Sequence, residues 1–294
     1  MPKIGSMRLL RVAVPNKGSL SESALGLLAD AGYDLPRARD RELNCVDPDN
    51  GIEFFFQRPR DIAVYVASGT LDLGITGRDL LEDADVSAEP LLDLGFARSR
   101  FRFAALPCGP TTVDGLQGLS IATSYPTLVR KHLTRAGVSA SVVELQGAVE
   151  NAVALGLADA IADVVETGTS LGNAGLVAFG EPLLHSEAVL IKSTTRPFSD
   201  DEDEAVQVMV ERFQGVLTAR RYVMLDYDCP HSVLAEACAL TPGIESPTVS
   251  PLANAEWVAV RALVPRKGLN RTMDQLKSRG AVAILATELA ACRL

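Results

Sequence analysis

The stretch that most constrains this chain runs from Glu150 to Leu171, ENAVALGLADAIADVVETGTSL. It reads as a helix, a buried strand and a tight polar loop in immediate succession. Ala148, Val149, Ala152, Val153 and Leu155 give the helix an apolar stripe, and Gly156 ends it. Ala160 to Val165 is apolar apart from Asp163, the pattern of a strand covered on both faces in a parallel sheet. Glu166-Thr167-Gly168-Thr169-Ser170 then falls at the strand's carboxyl end, the edge at which open α/β sheets bind ligands. The loop offers a flexible glycine, hydroxyls and a run of backbone N–H groups, the donors that a phosphate monoester needs. A plain Gly-bearing turn has the same composition. The carboxylates tip the balance toward function. Asp163, inside an otherwise apolar strand, is costly unless it is paired or used, and Glu150 stands upstream of it.

The same plan occurs earlier in the chain. Gly69-x-x-Asp72 matches Gly156-x-x-Asp159, each after a helix and before a strand that ends in a Thr-Gly loop. Here the strand is Leu71 to Ile75 and the loop is Thr76-Gly77-Arg78-Asp79. Such an internal echo predicts two similar lobes facing each other across a cleft, the architecture of periplasmic-binding-protein-like folds. Asp79 would line the opposite wall.

Taken in order, Leu9 to Val14 is a short strand, and Pro15-Asn16-Lys17-Gly18 turns into a helix with Ser19-Leu20-Ser21-Glu22 as a capping box. Leu20, Ala24, Leu27, Leu28 and Ala31 share its apolar face. Lys17 follows a strand's carboxyl end, so it is placed either to meet a phosphate or to sit in solvent. Leu43 to Val46 and Ile52 to Gln57 flank a Asp-Pro-Asp-Asn-Gly turn. Arg58 and Arg60 come next, fit equally for clamping phosphates and for a solvated rim. Ile62 to Ser68 is a helix. Arg100 to Leu106 alternates Arg100 and Arg102 against Phe101 and Phe103, a half-exposed strand crossing between lobes. Leu119 to Thr123, a helix over 128–136 and Val142 to Leu145 supply two further βα units. Tyr125, in the loop between strand and helix, is a base-stacking candidate or a rim tyrosine. Gly180 to Leu184 is expected to turn the chain back, and Ser186 to Ile191 to return it to the first lobe. A helix follows from about Glu204 to Ala219.

Beyond Arg221 the pattern changes to strand, helix, strand, strand, helix, strand: Tyr222–Tyr227, His231–Leu240, Thr248–Leu252, Glu256–Val264, Leu269–Ser278 and Ala281–Ala286. That βαββαβ order is ferredoxin-like. A module of this size is small for a free-standing domain, so packing on itself in an oligomer is expected.

Composition sets the outer limits. The chain has 294 residues and a net charge of −9, which argues against general nucleic-acid binding while leaving room for a local basic cleft. Its five scattered cysteines and three histidines show no metal-ligand spacing and fit reduced thiols in cytoplasm. No apolar run reaches membrane-spanning length. Met1 to Leu10 has Lys3 but no apolar core, so no export signal is expected.

Glu150, five residues, Gly156, then Ala158, Ile161, Asp163, Val164, Thr167-Gly168 and Leu171 resembles the signature of ATP phosphoribosyltransferase, the first enzyme of histidine biosynthesis. Ser170 stands where that family usually has Thr, and the hydroxyl is kept. The resemblance extends from Leu10 to the C-terminus and includes the extra domain of the family's long form. It implies residues 1–98 with 186–219 as one catalytic lobe, 99–185 as the other, and 220–294 as a regulatory domain. It also implies attack of adenine N1 of ATP on phosphoribosyl pyrophosphate, releasing pyrophosphate, with Mg2+ carried by the pyrophosphate and no direct protein ligand to the metal.

Lys17, Glu150 and Asp163 are then the catalytic candidates, with Lys17 and Arg58 at the leaving group. Asp163, Thr167, Gly168, Thr169, Ser170 and Leu171 would bind the phosphoribosyl donor. Arg58, Asp79 and Tyr125 would bind ATP, and Asp228, Thr248 and Ala283 would bind histidine as feedback inhibitor. At Asp228 the residues alone equally allow a helix cap. A cytoplasmic homo-oligomer, dimer to hexamer, is expected. The alternatives are a two-lobed sensor without turnover and a silent regulatory subunit, since a fold does not define a function.

Overall fold

β1 (Leu10–Pro15) is buried at every position but Arg11, because it lies inside a sheet. The computed structural model describes residues 8–33, 35, 43–165 and 168–293. The chain divides into two compact units, Met1–Ala29 with Tyr33–Ala205 and Asp30–Gly32 with Val206–Leu294.

In the first unit, α1 (Gly18–Asp30) buries Ala24, Leu27 and Leu28. It begins one residue before Ser19, so the expected capping box lies inside the first turn. β2 (Asn44–Asp47) and β3 (Ile52–Gln57) form an antiparallel hairpin. α2 (Pro59–Ala67) starts with proline in its first turn. β4 (Leu73–Gly77) is wholly buried and passes straight into α3 (Arg78–Ala84). The loop expected over 76–79 is therefore absent: Thr76 and Gly77 are strand, and Asp79 is in the helix's first turn. β5 (Ala88–Asp93) completes the first run.

β6 (Ser99–Ala105), β7 (Ser120–Thr123), α4 (Pro126–Ala136), β8 (Ser141–Glu144), β9 (Ala160–Val165), α5 (Thr169–Asn173) and β10 (Val177–Ser186) follow. Two expectations fail here. The helix expected over 148–155 is a 3-10 turn at Val149–Asn151 followed by further turns. Ala148 lies in the left-handed region at φ 49°, and too few residues remain before Gly156 to repay helix nucleation. The reversal expected at 180–184 is part of β10, whose pairing with β6 shifts register between Phe179 and Leu184 and then resumes. β11 (Ala188–Ser193) ends the strands of this unit.

The strands form two mixed sheets, ordered β2-β3-β1-β4-β11-β5 and β10-β6-β9-β7-β8. The chain passes from the first sheet to the second between β5 and β6 and returns between β10 and β11. The echo read from the sequence has a structural counterpart. Asp72, just before β4, accepts the Arg11 N–H at 2.9 Å and donates its own N–H to the Arg11 carbonyl at 2.9 Å. Asp159, just before β9, does the same with Ser120 of β7, at 2.8 and 3.0 Å. Each aspartate ties an incoming strand to the parallel strand beside it.

α6 (Asp200–Arg221) starts earlier than its apolar pattern indicates. Ser199 and Glu202 form the capping box: Ser199 Oγ accepts the Glu202 N–H at 3.3 Å, and Glu202 Oε2 accepts the Ser199 N–H at 2.9 Å.

The second unit contains β12 (Tyr222–Pro230), α7 (Leu234–Leu240), β13 (Thr248–Pro251), β14 (Trp257–Pro265), α8 (Leu269–Ser278) and β15 (Val282–Glu288). Its antiparallel sheet is ordered β13-β14-β12-β15, the ferredoxin-like arrangement. Ala237 of α7 and Leu276 of α8 pack with Val223, Leu225, Val260 and Ala262 on one face. β12 runs on through Pro230, so Asp228 is a strand residue and not a helix cap.

Candidate active site

The buried start of β9, Ala160 to Ala162, anchors the strand, and burial falls away at Asp163, Val164 and Val165. Asp163 Oδ1 accepts the N–H of Val164 at 2.7 Å. Burial pushes the Asp163 carboxyl up to about 6, the Val164 N–H counters this in part, and the Glu150 and Asp79 carboxylates push it further up. Glu150, Asp163, Gly168 and Ser170 line one cavity of about 260 Å³.

Gly168 precedes α5 at φ +80°. The nearest atom to a Cβ built there, Val165 Cγ1, is 4.0 Å away, so the backbone conformation and not protein crowding requires glycine. Thr169 and Ser170 are exposed, while Leu171 is buried at 8 % in the core, which leaves its backbone for any ligand. Thr167 lies outside the described residues.

Asp79 is 8 % exposed. Its N–H donates to Ser186 Oγ at 3.0 Å, and the Ser186 hydroxyl donates to Asp79 Oδ1 at 2.7 Å. That carboxylate curls back to within 2.3 Å of where a Cβ on Gly77 would stand, so a side chain at 77 would displace it. The Tyr125 phenol stands close to the Asp79 carboxylate. Burial first, then the Asp79 carboxylate and the Asp163 charge, hold it far above the usual phenol range, so it stays a donor.

Arg60 stands over the Tyr125 ring, its Cζ 5.0 Å from the centroid. It donates to Asp83 Oδ2 at 2.8 Å and to the Ser124 carbonyl at 2.5 Å. Tyr125 also meets Phe101 edge-on at 5.1 Å. Asp79, Tyr125, Asp163 and Glu150 thus form one electrostatic group drawn from both sheets.

Lys17 and Arg58 are exposed and follow adjacent strand ends: Pro15 pairs with Gln57, and the Asn16 N–H donates to the Gln57 carbonyl at 2.9 Å. Both therefore stand at the carboxyl edge of the first sheet. Arg58 is the residue before α2. Ser186 and Asp83 were not singled out from the sequence. Ser186 reads as an ordinary strand residue and Asp83 as one more carboxylate on a short amphipathic helix.

The histidine candidates are split. Asp228 pairs with Val282 across the irregularity in β12–β15 pairing, beside Ala283, which takes φ 48°. Thr248 opens β13, on the far side of β14.

Glu150 and Asp163 share a cavity with Gly168 and Ser170, and Lys17 and Arg58 follow two adjacent strand ends of the first sheet, residue types that suit phosphorylated ligands. Among the described residues there is no cluster of three or more metal-ligating side chains. Residues 58–215 match the ATP phosphoribosyltransferase family model, and residues 219–291 match the HisG, C-terminal domain model. The ATP phosphoribosyltransferase of Streptomyces avermitilis is 57% identical over 97% of this chain and 100% of its own length. That of an Arthrobacter species is 58% identical with the same coverage. A solved ATP phosphoribosyl transferase (HisG:HisZ) complex from Thermotoga maritima aligns with a TM-score of 0.61 at 25% identity, over 70% of this chain and 96% of that one. The chain belongs to the ATP phosphoribosyltransferase family, which makes it a pentosyltransferase of histidine biosynthesis.

Proposed function

We propose that this chain joins ATP to phosphoribosyl pyrophosphate, N1 of the adenine displacing pyrophosphate at the anomeric carbon. The observation that carries the residue assignment is the meeting of Glu150, Asp163, Gly168 and the first turn of α5 in a single cavity; the residues 169–171 expected as loop are helix. The 5-phosphate occupies the loop, Thr167 included, with Gly168, Thr169, Ser170 and the Leu171 backbone as donors. Glu150 and Asp163 take the ribose hydroxyls or metal-bound water. As the bond to pyrophosphate lengthens, positive charge grows on the ribose and both carboxylates oppose it. Lys17 and Arg58 receive the negative charge on the leaving group, with Arg58 also in reach of the nucleotide phosphates. Asp79 and Tyr125 face the nucleotide. Holding two polyanions in line supplies most of the acceleration, and no covalent intermediate is needed.

Mg2+ enters with the pyrophosphate as part of the substrate. Two carboxylates in the cavity can hold metal-bound water. Histidine is the proposed inhibitor through the second unit. A homo-oligomer, dimer to hexamer, is supported by the apolar side chains left exposed on its outer strands, Val249, Val282 and Leu285. A cytoplasmic location goes with such chemistry, and among the described residues no helix is long and apolar enough to cross a membrane.

The test is pyrophosphate release from ATP and phosphoribosyl pyrophosphate, with each substrate omitted in turn. Binding of both without release would leave a two-lobed sensor in its place.

A further inference from the structure

The second sheet carries positive charge that the transfer site does not account for. On β6, Arg100 pairs with His185 of β10 on one side and with Val165 of β9 on the other. Residues paired across strands project from the same face, and so do residues two apart along a strand. Arg102, paired with Asp163, therefore shares the face of Arg100. Ala104 shares it too and packs with Leu171 of α5, so both arginines stand on the side covered by α5.

Val165 lines three cavities. One is the cavity of Glu150 and Asp163. Another, of about 480 Å³, is lined by Arg100, Arg102, Gly168 and Leu171 among others. The third, of about 340 Å³, is lined by Arg98, Arg100 and His185 among others. Arg100 and Arg102 thus adjoin the donor site from the β6 side, with Arg102 directly across the strand pair from Asp163.

The cations differ in what already holds them. Arg98 is paired with Glu187 at 3.4 Å. Among the described residues Arg100 has no ion pair and no side-chain hydrogen bond. Arg102 donates one terminal N–H to the Gly180 carbonyl at 2.5 Å, while its Nε is buried without an acceptor among the described residues. A buried donor left without a partner is costly, and it marks a place for an acceptor. Two guanidinium groups on one face, two residues apart, suit a tetrahedral oxyanion with several acceptor oxygens. In a chain of net charge −9, such a strip also gives a polyanionic substrate a favourable field at the cleft.

We propose that Arg100 and Arg102, with His185 beside them, form a second phosphate-binding wall on β6 that takes a phosphoryl group of the donor beside Asp163. The proposal rests on the transfer reading given above. The chemistry is shared by the sugar 5-phosphate and by the pyrophosphate, and the experiment separates them.

Full-length wild type, Arg100→Met, Arg102→Met and Arg100→Lys are titrated calorimetrically with ribose 5-phosphate, inorganic pyrophosphate and ATP, each alone. Steady-state kinetics and melting temperatures are measured on the same samples. Arg100→Met removes no ion pair or side-chain hydrogen bond to a described residue, so it should keep the melting temperature and guards against a folding artefact at Arg102. The expected result is at least tenfold weaker binding of ribose 5-phosphate or of pyrophosphate in both methionine variants. The affected ligand identifies the phosphate, ATP binding stays within twofold, the donor KM rises, and Arg100→Lys restores part of the loss. Unchanged binding of both ligands in Arg100→Met and Arg102→Met, or a loss confined to ATP, overturns the wall while wild-type turnover leaves the transfer reading intact. Absence of wild-type turnover overturns that reading and the wall with it.

Discussion

Asp83 joins the two sheets of the catalytic region through Arg60. Its Oδ2 lies 2.8 Å from Arg60 Nη1, and its Oδ1 accepts the N–H groups of Thr127 and Leu128 at 2.9 and 3.1 Å. A carboxylate on α3 therefore caps α4, complementing two of the donors that every helix start leaves open. It also holds the arginine that covers Tyr125. Asp83 is 6 % exposed, so removing it takes the acceptor from the Thr127 and Leu128 N–H groups and leaves Arg60 only the Ser124 carbonyl. Asp83→Ala is expected to lower stability by about 1–3 kcal/mol. It should also raise the KM for ATP more than that for the donor, because it releases Arg60, which covers the Tyr125 ring. Equal changes in both KM values would show that Asp83 serves only the fold.

Asp163 combines a cost and a use. Its neighbours in the site are carboxylates, and its pKa is pushed up to about 6. The sign of the linkage follows. A carboxyl raised in the folded state binds its proton more tightly there than in the unfolded chain. Its contribution therefore favours folding at low pH and is lost as pH rises through about 6. Asp163→Asn should accordingly raise the melting temperature at pH 7, by the equivalent of about 1–3 kcal/mol. The same change should reduce kcat by roughly 10²-fold or more, the scale of losing a charge-stabilising group. In the wild type, activity should fall as pH drops below about 6, and the variant should lack that limb. A lower melting temperature with activity retained would mark Asp163 as a structural partner instead.

Gly168 can be tested through its backbone. At φ +80° an L side chain is strained whatever the space around it. Gly168→Ala should cost about 1–2 kcal/mol locally, and Gly168→Val more. The donor's KM should rise and turnover fall, while ATP affinity stays near that of the wild type. Donor kinetics unchanged in Gly168→Val would take this loop out of the site.

The alternation of apolar and charged positions made most strands legible, and the echo of Gly69-x-x-Asp72 in Gly156-x-x-Asp159 made the two lobes legible. Asp72 and Asp159 explain why the echo is informative, since each repeats one tertiary contact, a carboxylate bonded to the start of a neighbouring strand. Elements failed to show where local pattern and tertiary demand disagree. The segment 148–155 has a helical stripe but too little length for a helix. Thr76-Gly77 looks like a loop because nothing local reveals that β4 is covered on both faces up to Gly77. In the site, Glu150 and Asp163 were visible as carboxylates out of place. Ser186 and Asp83 were not, because their partners lie 107 and 23 or more residues away in sequence.

Asp72 itself supports a stability test. It is fully buried, and it accepts from Arg196 at 2.7 Å and from Arg8 at 3.2 Å. Arg196 also pairs with Glu202, which the guanidinium holds well below the usual carboxylate range. Arg196→Ala leaves a buried carboxylate with one cation fewer and should cost about 1–3 kcal/mol, less than a fully orphaned charge because Arg8 and the Arg11 N–H remain. Since the network stands on ionised Glu202, its stabilisation should be present at neutral pH. It should be lost as pH falls through the depressed pKa of Glu202. Denaturant melts of wild type and Arg196→Ala at pH 7 and in strong acid would converge only in acid.

The last prediction concerns inhibition by histidine. Asp228 lies inside β12 and beside the left-handed Ala283, where the β12–β15 ladder is interrupted and backbone groups are free of regular pairing. That break is a place where a carboxylate and main-chain donors can meet the ammonium and carboxylate of a free amino acid. Thr248 is separated from it by the full width of β14, so one ligand cannot engage both within a single sheet. If all three residues bind histidine, the site is completed by the sheet of another copy, and inhibition must depend on assembly. Asp228→Ala should then abolish inhibition while leaving uninhibited kcat near that of the wild type. Thr248→Ala should weaken inhibition only in the assembled state. The coupling to the active site is expected at ~1–3 kcal/mol, or about 5- to 150-fold in apparent affinity. The check is histidine titration of activity at several protein concentrations, with sedimentation of the same samples. Full sensitivity in Asp228→Ala would remove that residue from the site. An inhibition constant that stays the same in monomer and oligomer would sink the shared site, and no effect of histidine on the wild type would sink the regulatory role.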